Sequence, residues 1–181
     1  MKKILAAALL ATAVTTPAIA GDMPLYVGVT LGPSSVGNSS SFAIGGLVGY
    51  KLDKSQAPFM GTGYLSIEGQ YTMLGTDKYT FFGGSIEAKY ASMGVDAVAV
   101  FPIPSVKNLS GYGKLGFNSI SASITCTGGL FGCSGAAGST SGLDYGVGVQ
   151  YDMDKKLAVR AGYQGYASNA SAFIASVLYS L

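Results

Sequence analysis

The last ten residues, 172–181, restrict the possible folds more than any other stretch of the chain. If this stretch is a β-strand, alternate residues point to opposite faces, so that one face is apolar and the other mixes apolar residues with serine. The two sets are Phe173, Ala175, Val177, Tyr179 and Leu181, and Ile174, Ser176, Leu178 and Ser180. If the apolar face contacts lipid, the strand needs hydrogen-bonding neighbours on both sides, because unpaired backbone groups are very costly there. The pattern therefore predicts a closed sheet.

The amino-terminal residues 1–20 have the three parts of a Sec signal peptide. The basic pair Lys2-Lys3 precedes the apolar run 4–14, and Ala18-Ile19-Ala20 provides an A-x-A cleavage site. We expect cleavage after Ala20, which leaves one domain, residues 21–181. The alternative is a membrane anchor helix, but the apolar run is shorter than the ~20 residues that a span needs.

The composition favours strands and excludes one class of partner. Mean hydropathy is +0.39, yet residues 21–181 contain no continuous apolar run long enough for a membrane helix. The 27 glycines also disfavour helices, since glycine costs about 1 kcal/mol relative to alanine in a helix interior. Without the signal peptide, Lys and Arg fall from 11 to 9 and equal the 9 acidic residues. No basic excess indicates nucleic acid as a partner.

Seven earlier segments show the same alternation as the last one. They cover residues 25–32, 42–52, 63–73, a segment ending at 95–101, and residues 110–119, 143–152 and 157–166. Segments rich in Gly, Pro, Ser, Asn and Asp separate them, at 33–41, 53–58, 75–85, 102–108, 120–142, 154–156 and 168–171. Eight strands whose connections alternate mostly between longer loops and short turns predict an up-and-down meander.

The two faces of these strands differ in polarity. One face is apolar almost throughout, whereas the other is small or polar and includes Glu68, Asp96, Lys114, Gln150 and Arg160. A soluble lipocalin-like barrel is the alternative, and it would have the apolar face inside. The pattern instead predicts an all-β protein, an eight-stranded antiparallel transmembrane β-barrel with a polar interior.

Short motifs at corresponding places in the strands point to a family. They are Tyr26-Val27-Gly28, Gly49-Tyr50-Lys51-Leu52, Ile67-Glu68, Lys114-Leu115-Gly116, Val149-Gln150-Tyr151, Arg160-Ala161-Gly162-Tyr163 and the final strand. Together they resemble the OmpA-type transmembrane domain and related small opacity and adhesin-like porins of the bacterial outer membrane. The resemblance implies contact with outer-membrane lipid, insertion by the barrel assembly machinery and no cofactor. The family usually ends in phenylalanine, where this chain has Leu181.

The inward charges are predicted to form one layer. Glu68, Asp96, Lys114 and Arg160 each lie about five or six residues from the nearest short turn. With a rise of ~3.3 Å per residue and a tilt of ~45°, all four lie roughly 12 Å above the turns. Buried charges of opposite sign are expected to pair. The resemblance suggests that Glu68 and Arg160 pair and block or gate the lumen, so the layer is either a static plug or the gate of a narrow pore for ions or small solutes.

Both cysteines lie in the predicted loop 120–142. In an exported protein, Cys126 and Cys133 are expected to form a disulfide. The bridge would present Leu130 and Phe131 as a contact site, unless these residues fold back onto the barrel rim. A metal site built on two cysteines is not expected without histidine.

The chain contains no histidine, which argues against most outer-membrane enzymes, because these use histidine as a base or proton carrier. We therefore expect no enzymatic activity. The sequence favours a structural role in the envelope and adhesin-like contact with a host or surface ligand through the loops, with the gated pore as the alternative.

Overall fold

The computed structural model describes residues 24–37, 39–53, 55–81, 84–127, 137–167 and 169–181. The expected signal peptide, 1–20, lies outside these ranges. The strands are β1 (Leu25–Val36), β2 (Ser39–Lys51), β3 (Tyr64–Phe81), β4 (Gly84–Pro102), β5 (Leu109–Thr127), β6 (Ala137–Asp152), β7 (Leu157–Tyr166) and β8 (Ala170–Ser180). A short 3-10 turn, Pro58–Met60, precedes β3. No helix in the described part of the chain is long and apolar enough to cross a membrane.

The strands pair in sequence order and form a closed barrel. Each neighbouring pair is antiparallel, and β1 pairs with β8 as well as with β2. Closure begins near the carboxyl terminus, where the Leu181 N–H donates to the Leu25 carbonyl at 3.0 Å. The predicted all-β, eight-stranded meander is confirmed. The final strand, from which the sequence argument began, is the strand that closes the sheet.

The barrel has an apolar exterior and a largely polar interior around its middle. On β8, Phe173 is 65% exposed, whereas Ser176, on the other face, is buried. The same contrast holds on β3, where Ile67 and Tyr71 point outward and Glu68 and Gln70 are buried. A soluble barrel would have the reverse arrangement, because water selects polar outer faces. The predicted orientation of the strands is therefore confirmed.

Three of the predicted loops are too long. Within the predicted loop 33–41, strand pairing continues to Val36 and resumes at Ser39. Within the predicted loop 75–85, the described residues pair as strand to Phe81 and from Gly84. The predicted loop 120–142 was wrong at both ends, because β5 continues to Thr127 and β6 begins at Ala137. The end of β5 continues the period-two pattern, with Ala122, Ile124 and Cys126 on one face, but the Ser, Thr and Gly content of the segment 120–142 is also typical of a loop.

The extra length forms a sheet that projects beyond the barrel wall. Pairing of β2 with β3 stops at Ile44 and Met73, and pairing of β6 with β7 stops at Tyr145 and Gly165. The pairs β3–β4, β4–β5 and β5–β6 continue further. We call residues 76–81, 84–89, 121–127 and 137–141 the four-stranded extension. It leaves the wall at a bulge next to Gly75, whose φ of 129° favours glycine.

At the hairpin end, the interior is apolar. Buried residues from several strands pack there into one cluster, which we call the apolar plug. Its members are Ala43, Leu74, Ile120, Tyr166, Ala167, Ala170, Ala172 and Ile174. The expectation of a small or polar inner face was therefore incomplete, since the interior is polar in the middle and apolar near the long hairpins.

Candidate functional site

The four predicted charges lie inside the barrel at one level. Glu68 of β3 is the direct cross-strand neighbour of Asp96 of β4. Lys114 comes from β5 and Arg160 from β7. Each acid has a basic partner, and the four side chains are at most 7% exposed. We call these four residues the charged layer.

The first ion pair joins opposite sides of the barrel. Arg160 Nη1 donates to Glu68 Oε1, and Arg160 Nε donates to Gln150 Oε1 at 2.7 Å. The Tyr26 hydroxyl also donates to Glu68 Oε1, at 2.5 Å. The guanidinium lies 5.8 Å from the ring centroid of Tyr26 and 5.1 Å from that of Tyr112. Hydrogen bonds and ring faces thus offset much of the desolvation of this pair.

The second ion pair belongs to a hydrogen-bonded chain. Lys114 Nζ donates to Asp96 Oδ2 at 3.0 Å and to Gln70 Oε1 at 3.0 Å. The amide nitrogen of Gln70 then donates to Asp144 Oδ2 at 2.9 Å. The chain couples β3, β4, β5 and β6 through side chains, in addition to their backbone pairing.

Asp144 is a buried acid that the sequence reasoning missed. Its exposed fraction is 0%, and its Oδ2 also accepts from Gln164 Nε2 at 3.0 Å and from Asn118 Nδ2 at 3.5 Å. The sequence did indicate an inward orientation, because Asp144 lies an even number of residues from Gly146 and Gln150 in the predicted strand 143–152 and therefore shares their face. Asp144 lies further from the short turns than the four predicted charges do, so their common depth did not indicate it.

We expect Asp144→Ala to destabilise the barrel by about 1–3 kcal/mol, because it leaves the buried amide donors of Gln70 and Gln164 without their acceptor. Asp144→Asn keeps an oxygen at this position and should lose less than about 1 kcal/mol. Urea unfolding in lipid vesicles measures both variants. Equal losses for alanine and asparagine would contradict the role of Asp144 as an acceptor.

The space between the two ion pairs is small. A cavity of ≈ 20 Å³ lies among Glu68, Gln70, Tyr112, Lys114 and Arg160. Such a volume holds about one water molecule. The charged layer is thus closely packed, and the apolar plug lies beyond it toward the long hairpins.

The chain matches the family described as outer membrane protein beta-barrel domain over residues 5–179. The protein belongs to this family. As a member of it, the barrel lies in the bacterial outer membrane, and its apolar exterior contacts lipid. The predicted family and location are confirmed.

Solved outer-membrane barrels share this fold. Neisserial surface protein A is 18% identical with a TM-score of 0.65, and the match covers 89% of this chain and 99% of that chain. The attachment invasion locus protein of Yersinia pestis is 19% identical with a TM-score of 0.58, covering 86% and 94%. The amino-terminal barrel of OprF from Pseudomonas aeruginosa is 14% identical with a TM-score of 0.55, covering 86% and 97%. No curated protein sequence matches the chain.

The predicted loop site of this outer-membrane barrel falls mostly outside the described residues. Cys126 lies near the end of β5, in register with Ile86 of β4. Cys133, Leu130 and Phe131 lie in the segment 128–136, which the structure does not describe. The disulfide and the contact site therefore stay predictions.

Proposed function

We propose that this outer-membrane barrel supports the envelope as a closed, ion-paired cylinder and contacts external surfaces through its hairpin end. The observation that carries this proposal is the four-stranded extension, which projects beyond the paired barrel wall. Short hairpins would be sufficient for a barrel that only spans the membrane. The additional strand length places side chains where a ligand outside the cell can reach them.

The chemistry of the extension suits contact with another macromolecule. Lys78 and Lys89 are exposed, and Tyr79 is 61% exposed. Within the described residues, β3 beyond Met73 pairs with β4 on one side and with no strand on the other, where the Thr76 N–H donates to Ser41 Oγ at 3.3 Å. An unpaired strand edge offers backbone donors and acceptors to a partner. Aromatic side chains are enriched at such interfaces.

A structural neighbour gives an example of ligand binding by a barrel of this fold. The attachment invasion locus protein of Yersinia pestis, 16% identical with a TM-score of 0.55, was crystallised with the heparin analogue sucrose octasulfate. The exposed Lys78 and Lys89 are compatible with an anionic surface ligand here. Lys89 pairs with Glu87 at 2.9 Å, and Lys78 lies opposite the same Glu87 across the strand pair, so an anionic ligand at either lysine would compete with this carboxylate.

We also propose that a Cys126–Cys133 disulfide holds the segment between β5 and β6 and presents Leu130 and Phe131 at the end of the extension. Exposed apolar residues of this kind form contact sites when a partner covers them.

The test uses the double variant Leu130→Ser with Phe131→Ser. We expect adhesion of bacteria that display the barrel to a cultured epithelial layer to fall by about tenfold, since burying two such side chains contributes more than 1 kcal/mol to binding. The matched control is Val106→Ser, because Val106 is 48% exposed in the turn at the opposite end. Equal adhesion by wild type, the loop variant and the control would contradict the proposed contact site.

The alternative function is a narrow gated pore for ions or small solutes. The Arg160–Glu68 pair would form the gate, because it joins β7 and β3 across the interior. In the conformation described, the charged layer is closely packed, which favours the structural role. Planar-bilayer conductance of the wild type beside Arg160→Met distinguishes the two functions.

A further inference from the structure

A second space lies inside the barrel at the end opposite the long hairpins. This cavity has a volume of ≈ 240 Å³, more than the space within the charged layer. It opens at the end where Leu25 and Leu181 lie, which faces the periplasm in barrels of this family. Residues of six strands and one turn form its wall, among them Tyr26, Lys51, Tyr64, Ala158, Leu178 and Ser180.

Lys51 is a cation of this cavity with unused hydrogen-bonding capacity. Its Nζ donates to Ser180 Oγ at 3.2 Å. The same atom lies 5.6 Å from the ring centroid of Tyr26 and 5.4 Å from that of Tyr64. Lys51 forms no salt bridge with any described residue. An ammonium group has three donors, so two remain for a ligand, while the tyrosine rings hold the group in place.

Two acids, Asp152 and Asp154, line the cavity, and Asp152 is near enough to Lys51 for their charges to interact. Asp152 Oδ1 accepts from Gln150 Nε2 at 2.7 Å. Asp154 Oδ1 accepts from the backbone N–H groups of Lys156 and Leu157 at 2.7 and 2.8 Å. These two bonds hold the pKa of the Asp154 carboxyl below its usual range, and Asp154 is therefore a charged turn residue at neutral pH. The lining also includes Lys155 and Lys156, and Lys156 Nζ lies 5.6 Å from the ring centroid of Tyr179 on the outer face.

The wall also has an apolar part. Leu178 is 5% exposed and belongs to a buried cluster with Tyr26 and Leu47, against which Ala158 packs. Leu178, Ala158 and Leu157 all line the cavity. A ligand that fits this space meets a cation with free donors together with an apolar surface.

We propose that this cavity binds a small organic anion, a carboxylate with a short apolar body, and that Lys51 Nζ is the group that binds the carboxylate. The apolar body packs against Leu178 and Ala158. The site is separate from the surface contacts proposed above, because it lies at the opposite end of the barrel. It gives the periplasmic side of this protein a ligand of its own.

The experiment titrates sodium hexanoate, sodium acetate and inorganic phosphate into the folded barrel in lipid nanodiscs at constant ionic strength. Backbone amide NMR shifts of Lys51, Ala158 and Ser180 report binding. The variant is Lys51→Gln. The matched control is Lys107→Gln, which removes the same charge from an exposed turn residue at the same end of the barrel that does not line the cavity.

We expect hexanoate to cause saturable chemical-shift changes. Acetate should bind at least tenfold more weakly, because it lacks the apolar body. Lys51→Gln should bind hexanoate at least tenfold more weakly than Lys107→Gln does. Partition of hexanoate into lipid would shift all variants equally, and that result would overturn the proposal. Phosphate binding as tight as that of hexanoate would also overturn it, because the apolar wall would then contribute nothing.

Discussion

Arg160→Met is expected to lower the free energy of unfolding by about 3–5 kcal/mol. The substitution keeps much of the side-chain volume but leaves Glu68, which is 1% exposed, without its cation. Removing one partner of a buried ion pair costs this much because the remaining charge is desolvated and uncompensated. The Tyr26 hydroxyl still donates to Glu68 Oε1, and this neutral hydrogen bond does not replace the guanidinium. Urea unfolding of the barrel in lipid vesicles measures the loss.

The double variant Glu68→Gln with Arg160→Met is the control for this prediction. It removes both charges, and the glutamine carbonyl can still accept from Tyr26. Since a buried ion pair is often replaceable by neutral groups of similar volume, we expect the double variant to recover most of the lost stability. If Arg160→Met unfolds at the same urea concentration as the wild type, the pair does not stabilise the barrel.

The same variants separate the static plug from the gated pore. We expect wild type and the double variant to be silent in planar-bilayer recordings, because the apolar plug lies beyond the charged layer and closes the interior independently of the charges. Discrete openings in the wild type that become larger in Arg160→Met would instead assign the pair as a gate, and the pore function would then take precedence over the structural one.

Leu74→Ala is expected to destabilise the barrel by about 2–5 kcal/mol. Leu74 is 0% exposed at the bulge of β3 and packs in the apolar plug. Its carbonyl accepts from Ser34 Oγ at 2.5 Å, which fixes this part of the strand. Truncation therefore leaves a cavity that the closed sheet cannot easily collapse to fill. Unfolding in lipid vesicles again provides the measurement.

The neighbouring residue provides a matched control for Leu74. Met73 is 53% exposed on the outer face, where lipid can fill the space that a truncated side chain leaves. We expect Met73→Ala to cost at most about half as much as Leu74→Ala. Equal losses for the two variants would mean that packing inside the plug is not what makes Leu74 important.

Much of the membrane-spanning part was predictable from the sequence. Because one face of every strand contacts lipid, apolar residues alternate with small or polar ones along the sequence. A closed sheet gives the backbone N–H and C=O groups of all these strands hydrogen-bonding partners. The depth of Glu68, Asp96, Lys114 and Arg160 followed from counting residues from the turns, because each residue of a strand advances the chain by a nearly constant distance. The count placed the four charges at one depth, and the family resemblance suggested the Glu68–Arg160 pair.

The tertiary structure alone decided the features that depend on contacts between distant strands. The four-stranded extension has a composition rich in Ser, Thr and Gly that also occurs in loops, so the extent of its backbone pairing became visible only in the structure. The chain of hydrogen bonds from Lys114 to Asp96, Gln70 and Asp144 depends on side-chain reach across the interior rather than on depth. The apolar plug and the cavity at Lys51 likewise combine residues from several strands. The sequence by itself determined which residues face lipid, because that contact is local to each strand, whereas side-chain packing inside the closed barrel determined where the interior is charged, apolar or open.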